Sequence, residues 1–354
     1  MLKANDFCEI AYPSTLIRST LNPHSLNPQS STEKSSHFYL HNSKKCSTFA
    51  AKMIMAKNII MNYSTISLTE WKQVGEGGNG TTYTCEKEPR VILKVSHRED
   101  GTLEAVSKEF HTTKAVYELG IPTPKVIEIV RVGDEYGIKS ELIGKKQSVG
   151  RFCGEHPDQI ERIATRMAEL GKQIHRTHVP NDEYIPSLKA LMLEALSSTK
   201  MLSGKKLKEV TAFVESLDDE STLLHGDFSL GNLIFEIQDD GESGTNDGQP
   251  YWIDLGRAVH GIPMFDLGHL YLFCNIFSKK ERVQQIAHMT EKQMVDFWKA
   301  FALAYNGPDG MDAFTAECKR FAALDVILLG HIQTLTWSER LFLGLLAKSL
   351  FKVD

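Results

Sequence analysis

The decisive stretch of this 354-residue chain reads Leu223-Leu-His-Gly-Asp-Phe-Ser-Leu-Gly-Asn-Leu-Ile-Phe235. Within it, Asp227 follows His225 by two positions, and Asn232 follows Asp227 after four intervening residues. The apolar runs on both sides predict a loop that enters a buried strand. Asp-x-x-x-x-Asn is a weak pattern by itself, because both residue types are common in turns. Its weight comes from a second element downstream, Tyr251-Trp-Ile-Asp-Leu-Gly256.

Together, the two elements have the spacing that phosphoryl transfer requires. In that chemistry one Asp accepts the proton of the attacking hydroxyl, while an Asn and a second Asp hold magnesium on the nucleotide phosphates. Magnesium is a hard cation, so it is held by oxygen atoms of side chains and phosphates rather than by Cys or His. We therefore expect Asp227 to be the catalytic residue, with Asn232 and Asp254 as the Mg²⁺ ligands.

The same motif, His-Gly-Asp-x-x-x-x-Asn followed by Ile-Asp-Leu-Gly, resembles the aminoglycoside phosphotransferase and choline kinase-type family, which has the protein kinase-like fold. The resemblance implies a two-lobed α+β fold with a small β-rich N-lobe and a larger, mainly helical C-lobe. It also implies an enzyme that transfers the γ-phosphoryl group of ATP to the hydroxyl of a small molecule, with Mg²⁺ as cofactor. His225 resembles the family's loop histidine, which holds the catalytic loop rather than acting as the base.

A glycine-rich segment lies upstream, where Gly75, Gly77 and Gly80 have the G-x-G-x-x-G spacing and Gly78 adds a fourth glycine. In a dinucleotide site such glycines precede a helix. Here the β-prone residues Thr81-Thr-Tyr-Thr84 follow, so a hairpin turn between two strands is predicted. In kinases a turn of this kind covers the nucleotide phosphates with backbone N–H groups. Glycine suits its tip, because a Cβ atom would keep the backbone away from the phosphate oxygens.

One lysine interrupts an apolar run shortly after these glycines, in Arg90-Val-Ile-Leu-Lys-Val95. A lysine within an apolar strand is costly unless it finds an anionic partner, and Lys94 is therefore expected to bind the nucleotide phosphates. A predicted helix follows, from about residue 103 to 119. Glu109 on this helix is the candidate partner of Lys94, with Glu104 and Glu118 as alternatives.

The boundary between the two lobes is predicted near residue 144. Pro-Thr-Pro at 122–124 ends the helix, and two predicted strands follow it. By the family resemblance, the second strand leads into the hinge that meets the adenine, with base contacts from backbone groups near Glu141 and Leu142. The predicted N-lobe is then 66–143, and the predicted C-lobe is 144–354.

The segment after the Asp-Leu-Gly element bears on the acceptor. Only nine residues, Arg257 to Phe265, separate Gly256 from Asp266, and no Ala-Pro-Glu follows, although a protein kinase needs a longer segment there. By the resemblance, Asp266 braces the catalytic loop and begins the next helix. These features favour a small-molecule alcohol over the peptide substrate of an atypical protein kinase. The remaining alternative is a pseudokinase interaction module, although every group that the chemistry needs is present.

Composition restricts the partners and the compartment. The net charge of −5 gives no support to a nucleic-acid partner, and no run of about 18 apolar residues predicts a membrane span. Six scattered cysteines without a Cys-x-x-Cys fit a reducing compartment, so a cytoplasmic location is expected. The acceptor remains open among an amino sugar, a choline-like alcohol, a homoserine-like amino acid and other alcohols, with a weak lean toward a cationic one.

The first sixty residues differ in composition from the rest of the chain. Segment 1–60 is rich in Ser, Asn, Thr, Lys and Pro, and has seven basic residues against three acidic ones. This composition predicts a disordered or poorly structured extension. A cluster of methionines at Met53, Met55 and Met61 offers an alternative translation start.

Overall fold

The computed structural model describes residues 63–77, 80–97, 101–180, 183–237, 248–332 and 335–351. The prediction for segment 1–60 and the one for Gly78 fall outside the described residues. Within the described ranges, strands dominate the first part and helices dominate the second. The predicted α+β fold with a β-rich N-lobe and a helical C-lobe is therefore confirmed.

The N-lobe is built on one six-stranded sheet. Its strands are β1 (Ser64–Thr65), β2 (Trp71–Gly77), β3 (Gly80–Cys85), β4 (Glu88–Ser96), β5 (Val126–Val132) and β6 (Glu135–Glu141). They lie in the order β1-β5-β6-β4-β3-β2, and all neighbours are antiparallel except β1 and β5. Leu93 and Val95 are buried on one face of β4, so Lys94 between them points to the other face. This alternation directs the lysine toward the cleft.

One helix, α1 (Leu103–Glu118), packs against β5 and β6. It begins where the Thr102 hydroxyl accepts a hydrogen bond from the backbone N–H of Ala105, and it ends before Gly120, whose φ is +84°. Val106 on its inner face packs with three buried residues of the sheet: Val126, Ile129 and Ile138. The helix predicted at about 103–119 is confirmed.

The C-lobe is mainly helical. Its helices are α2 (Val149–Glu155), α3 (Ile160–Ile174), α4 (Leu188–Ser198), α5 (Gly204–Ser216), α6 (Met264–Tyr271), α7 (Glu281–Ala287), α8 (Glu291–Asn306), α9 (Met311–Ile332) and α10 (Trp337–Leu350). The principal helix pairs are α3 with α8 and α6 with α9. A π-helical segment, Leu272–Ile276, extends α6.

The sequence pattern predicts a helix from Pro157 to about His178, but helix α3 is shorter. Residues Pro157–Gln159 form a 3-10 turn, and α3 itself ends at Ile174. The chain beyond it pairs with the segment that leads into the catalytic loop: Val179 N–H donates to Ser221, and Leu223 N–H donates to Thr177. These long-range bonds are incompatible with a helical backbone and end the helix early.

Two small sheets hold the functional loops. The strands are β7 (Lys146–Ser148), β8 (Leu223–Leu224), β9 (Leu233–Glu236), β10 (Pro250–Trp252) and β11 (Val259–His260). Strands β9 and β10 are paired antiparallel, with β7 on the other side of β9, while β8 pairs with β11. The loop after β8 and the loop after β10 are therefore held side by side.

The loop after β8 rests on an aromatic part of the C-lobe core. The fully buried ring of Phe228 packs against Trp252 and Phe301. It also touches α3 at Gly171, where a Cβ atom would lie 2.9 Å from the ring. This packing fixes the position of the loop relative to α3 and α8. None of the helices in the described ranges combines the length and apolar character that crossing a membrane requires.

Candidate active site

Lys94 connects the two lobes across the cleft. Its Nζ atom lies 2.8 Å from Oε1 of Glu109 on α1 and 3.5 Å from Oδ1 of Asp254 in the loop after β10. Of the three glutamates considered on α1, the structure thus pairs Lys94 with Glu109, whereas Glu118 pairs with Lys114 on the helix surface. The predicted ion pair is present, and a second carboxylate approaches the same ammonium group.

Close packing beside this ion pair explains the glycine of the Asp-Leu-Gly element. A Cβ atom on Gly256 would lie 2.8 Å from Cγ of Glu109. Any side chain at this position would push α1 away from the loop and weaken the contact of Glu109 with Lys94. The glycine therefore sets the distance between the N-lobe helix and the C-lobe loop.

Asp254 has an unusual backbone and an unusual environment. Its φ of 65° and ψ of 48° place it in the left-handed region, which costs a non-glycine residue about 1–2 kcal/mol. Burial raises the pKa of its carboxyl group to about 7, while Arg257 acts in the opposite direction. A carboxylate in this situation is one that a bound cation would stabilise.

Asn232 is oriented by the catalytic loop itself. Its Nδ2 donates a hydrogen bond to the carbonyl oxygen of Asp227 at 2.8 Å, which leaves its Oδ1 as the outward acceptor. The N–H of Ile253 donates to the carbonyl of Asn232 at 2.9 Å and brings the Asp254 loop alongside. Among the described residues no group of three or more His, Cys, Asp or Glu could hold a metal. Two oxygen ligands completed by phosphates and water fit Mg²⁺, which rarely has an all-protein site.

Asp266, at the start of α6, braces the catalytic loop as the family resemblance implies. Its Oδ2 accepts from the backbone N–H of His225 at 2.7 Å, and its Oδ1 accepts from that of Gly226 at 2.9 Å. Nε2 of His175 lies 3.1 Å from Oδ2. Burial alone would raise the pKa of Asp266, but these hydrogen bonds and the nearby His175 hold the pKa below its usual value. The carboxylate therefore stays ionised and holds the loop.

His225 is hydrogen-bonded within the loop through both ring nitrogens. Its Nε2 donates to the carbonyl of Ile253 at 3.1 Å, and its Nδ1 accepts from the N–H of Asp227 at 3.3 Å. Burial lowers the pKa of this ring, which agrees with a neutral histidine. The adjacent Gly226 has a φ of +75°, and a Cβ atom there would lie 2.0 Å from the carbonyl oxygen of Arg257. Steric crowding therefore requires glycine between His225 and Asp227.

Asp227 is completely buried and has a neighbour that sequence reasoning missed. Its Oδ1 lies 3.0 Å from Nε2 of His269 on α6, an ion-pair contact rather than an aligned hydrogen bond. Nδ1 of His269 in turn lies 2.8 Å from Oδ2 of Asp325 on α9. The available sequence signal was Asp325 itself, a carboxylate within the apolar run Ala322-Ala-Leu-Asp-Val-Ile-Leu-Leu329.

The glycine turn and the nucleotide cleft adjoin Lys94. Gly75 pairs with Thr82 and Gly77 pairs with Gly80, so the glycines lie where two antiparallel strands, β2 and β3, meet. A Cβ atom on Gly80 would lie 2.6 Å from the carbonyl oxygen of Val95. The cleft behind the turn has a volume of about 180 Å³, and its lining includes Ile92, Lys94, Glu109, Ile138, Ile143 and Asp254.

At the predicted hinge, the backbone N–H groups of Glu141 and Leu142 already donate hydrogen bonds within the N-lobe. Glu141 N–H donates to the carbonyl of Lys125 at 2.9 Å, and Leu142 N–H donates to that of Arg90 at 2.8 Å. Both donors are used within the sheet, so contacts from these residues to a base would come from carbonyl oxygens or from the Glu141 side chain. Ile143 lies buried at the end of the cleft, and its N–H has no backbone partner among the described residues.

Curated relatives with sequence similarity include two acyl-CoA dehydrogenase family members. Family member 11 of Rattus norvegicus is 21% identical over 273 residues, which cover 72% of this chain and 33% of that protein. Family member 10 of Mus musculus is 24% identical over 212 residues, which cover 51% of this chain and 18% of that protein. The chain thus spans about a third or less of the length of these relatives.

Similar solved structures include an aminoglycoside phosphotransferase and an amicoumacin kinase. ADP-bound aminoglycoside phosphotransferase APH(2'')-Ib has a TM-score of 0.49 and 14% identity, covering 86% of this chain and 98% of that chain. Amicoumacin kinase hAmiN, in complex with AMP-PNP, Ca²⁺ and Ami, has a TM-score of 0.46 and 15% identity, covering 88% and 96%.

A sequence model described as the phosphotransferase enzyme family matches residues 70–298. The matched region begins just before β2 and ends within α8, so it contains the glycine turn, Lys94, Glu109 and both functional loops. Because the match covers well over half of the chain, this protein belongs to the phosphotransferase enzyme family.

Proposed function

We propose that the protein transfers the γ-phosphoryl group of ATP to a hydroxyl group of a small molecule, with Mg²⁺ as cofactor. The observation that carries this proposal is the position of Lys94, 2.8 Å from Glu109 and 3.5 Å from Asp254. In kinase-type enzymes the corresponding lysine–glutamate pair and the metal-binding aspartate must be in place together for phosphoryl transfer. In this protein all three side chains already meet at one point.

The nucleotide would lie in the cleft under the β2–β3 hairpin. Lys94 would bind its phosphates, Glu109 would hold Lys94, and the backbone N–H groups of the glycine turn (Gly75, Gly77, Gly78 and Gly80) would cover the phosphates. Asn232 Oδ1 and the Asp254 carboxylate would hold Mg²⁺, which when bound neutralises charge on the phosphates. The carbonyls near Glu141 and Leu142 would face the base.

Asp227 would act on the acceptor. Its carboxylate would orient the hydroxyl and accept the proton as the new bond forms between the acceptor oxygen and the γ-phosphorus. The bond between that phosphorus and the β–γ bridging oxygen breaks in the same step, and ADP leaves with the electron pair. Because the transition state of phosphoryl transfer is loose, positioning and charge stabilisation matter more than a strong base.

A small acceptor is supported by the segment between the Asp254 loop and α6. Within this segment, β11 is paired with β8, and Gly261 N–H donates to the carbonyl of Thr222. A peptide substrate of a protein kinase needs a longer segment at this place, on which it can lie. Here the segment is short and fixed to the catalytic loop, so the acceptor site must be formed by the C-lobe helices as a concave pocket.

The test is a screen for nucleotide consumption by the purified protein. ATP or GTP and Mg²⁺ are supplied with a panel of amino sugars, amino alcohols, hydroxy amino acids and neutral alcohols, and with mixed proteins in a separate arm. We expect at least one small alcohol to stimulate ATP consumption and the protein arm to show negligible labelling. Efficient labelling of a folded protein with no active alcohol would contradict the proposal, and so would nucleotide binding without any turnover.

A further inference from the structure

Asp227 belongs to a buried row of three side chains from three distant elements. Asp227 comes from the loop after β8, His269 from α6 and Asp325 from α9. The contacts are 3.0 Å from Asp227 Oδ1 to His269 Nε2, and 2.8 Å from His269 Nδ1 to Asp325 Oδ2. None of the three residues is more than 2% exposed. The catalytic loop is therefore linked to the longest helix of the C-lobe through a single imidazole ring.

The two carboxylates that flank His269 favour a charged ring. A neutral imidazole has one N–H, and only the protonated form presents an N–H at both nitrogens. Here each nitrogen faces a different carboxylate. Burial lowers the pKa of His269, but the carboxylates of Asp325 and Asp227 outweigh it and raise the pKa to about 10. The ring is therefore a cation at neutral pH and compensates buried negative charge.

Neighbouring groups do not replace this cation. His225 is neutral and its ring is used by Ile253 and the loop backbone. Asp266 has its own donors from the loop and from His175. Burial would raise the pKa of Asp227, but His269, 3.0 Å from its Oδ1, lowers this pKa, and Arg257 contributes a smaller lowering.

The second carboxylate oxygen of Asp227 lacks a donor. Oδ2 is buried and accepts no hydrogen bond within the described part of the chain. A buried acceptor left in this state is destabilising, and such groups are commonly ones that a ligand satisfies. His269 already contacts Oδ1 of Asp227. A hydroxyl group that donates to Oδ2 would give the second carboxylate oxygen a partner as well.

We propose that His269, held by Asp325, is a positioning residue that fixes Asp227 through Oδ1 and leaves Oδ2 for the acceptor hydroxyl. The inference rests on the proposed function, because it gives Asp227 the role stated there. The cation also stabilises the ionised carboxylate, so Asp227 orients the hydroxyl and takes its proton only when the bond to phosphorus is largely formed. Asp325 acts only through His269 and has no contact with the substrate.

Variants of both residues test the positioning role by turnover. His269→Gln keeps a neutral donor, and we expect a fall in kcat of about tenfold, against about 100-fold for His269→Leu, with the nucleotide KM changed less than about threefold. His260→Gln, on β11, is the matched control for loss of a buried histidine and keeps its kcat. Adding Asp325→Asn to His269→Leu should cause no further loss, because Asp325 acts through the ring.

Two results of the turnover measurements would overturn the proposal. One is a wild-type kcat in His269→Leu, and the other is an additive loss in the double variant. A third result would also overturn it. If lower nucleotide affinity and lower thermal stability account for the whole loss of activity in His269→Gln, the role of His269 is purely structural.

A spectroscopic measurement tests the charged ring without any turnover. In protein with ¹⁵N-labelled histidine at pH 8, one histidine should show both ring nitrogens protonated, and this signal should vanish in His269→Gln but persist in His260→Gln. Absence of a doubly protonated histidine in the wild type would refute the inference. If the signal is present but no alcohol is phosphorylated, the proposed function fails while the charge assignment stands.

Discussion

Lys94 and Glu109, on the nucleotide side of the cleft, each keep about a quarter of their side-chain surface exposed. On the acceptor side, Asp227, His269 and Asp325 are almost completely buried. Water can screen the charges of Lys94 and Glu109. We therefore expect the attraction between these two side chains to reach its full strength only when phosphates replace the water. The second group has no such screening and must balance its charges within the fold. Under the proposed function, the nucleotide side would thus be completed by its ligand, whereas the acceptor side is largely assembled beforehand.

Asp227→Asn should have the largest effect, because it removes both the proton acceptor and the anion that His269 faces. We expect turnover to fall by about 10²–10⁴-fold, the usual contribution of a positioned acid or base, with nucleotide affinity nearly unchanged. Steady-state kinetics and a nucleotide-binding titration measure the two quantities. Asp218→Asn, at an exposed position, is the control. Wild-type turnover in Asp227→Asn would remove this residue from the mechanism.

Asp254→Ala tests whether the nucleotide side depends on its ligand. The variant removes a carboxylate that burial makes costly and that a cation would stabilise. We expect the Mg²⁺ concentration for half-maximal turnover to rise by roughly 10–100-fold, together with weaker nucleotide binding. A Mg²⁺ titration with the same midpoint as the wild type would show that Asp254 has a structural role only.

Glu109→Gln and Glu118→Gln compare two glutamates on the same helix. Glu109 holds Lys94, whereas Glu118 forms an exposed pair with Lys114. Losing one charge-assisted hydrogen bond of about 1.5 kcal/mol should raise the ATP KM about tenfold in Glu109→Gln. An exposed pair contributes little, so Glu118→Gln should differ by less than about twofold. Equal effects of the two substitutions would contradict the role assigned to Glu109.

The difference between the two sides also explains what sequence could predict. Lys94, Asp227, Asn232 and Asp254 lie in short segments where spacing and apolar flanks carry the signal. The sequence leaves three glutamates of α1 as candidate partners of Lys94. In the fold, Glu109 is the one that packs beside Gly256 of the Asp254 loop.

The row behind Asp227 could not be predicted in this way. His269 and Asp325 are 56 positions apart, and they meet only because α6 packs on α9. The sequence marks Asp325 as a costly buried charge but does not specify its partner. The early end of α3 has the same origin, since bonds between residues 177–179 and 221–223 connect distant parts of the chain.

The most direct test of the central claim follows the γ-phosphoryl group itself. ATP labelled in that group is incubated with the protein, Mg²⁺ and each alcohol that stimulates consumption, in ¹⁸O-labelled water, and the products are separated and analysed by mass spectrometry. The account predicts a phosphate monoester of the alcohol that carries the label and no ¹⁸O, at a rate that falls about 10²–10⁴-fold in Asp227→Asn. Label found only in inorganic phosphate that contains ¹⁸O, or only on protein side chains, would contradict it.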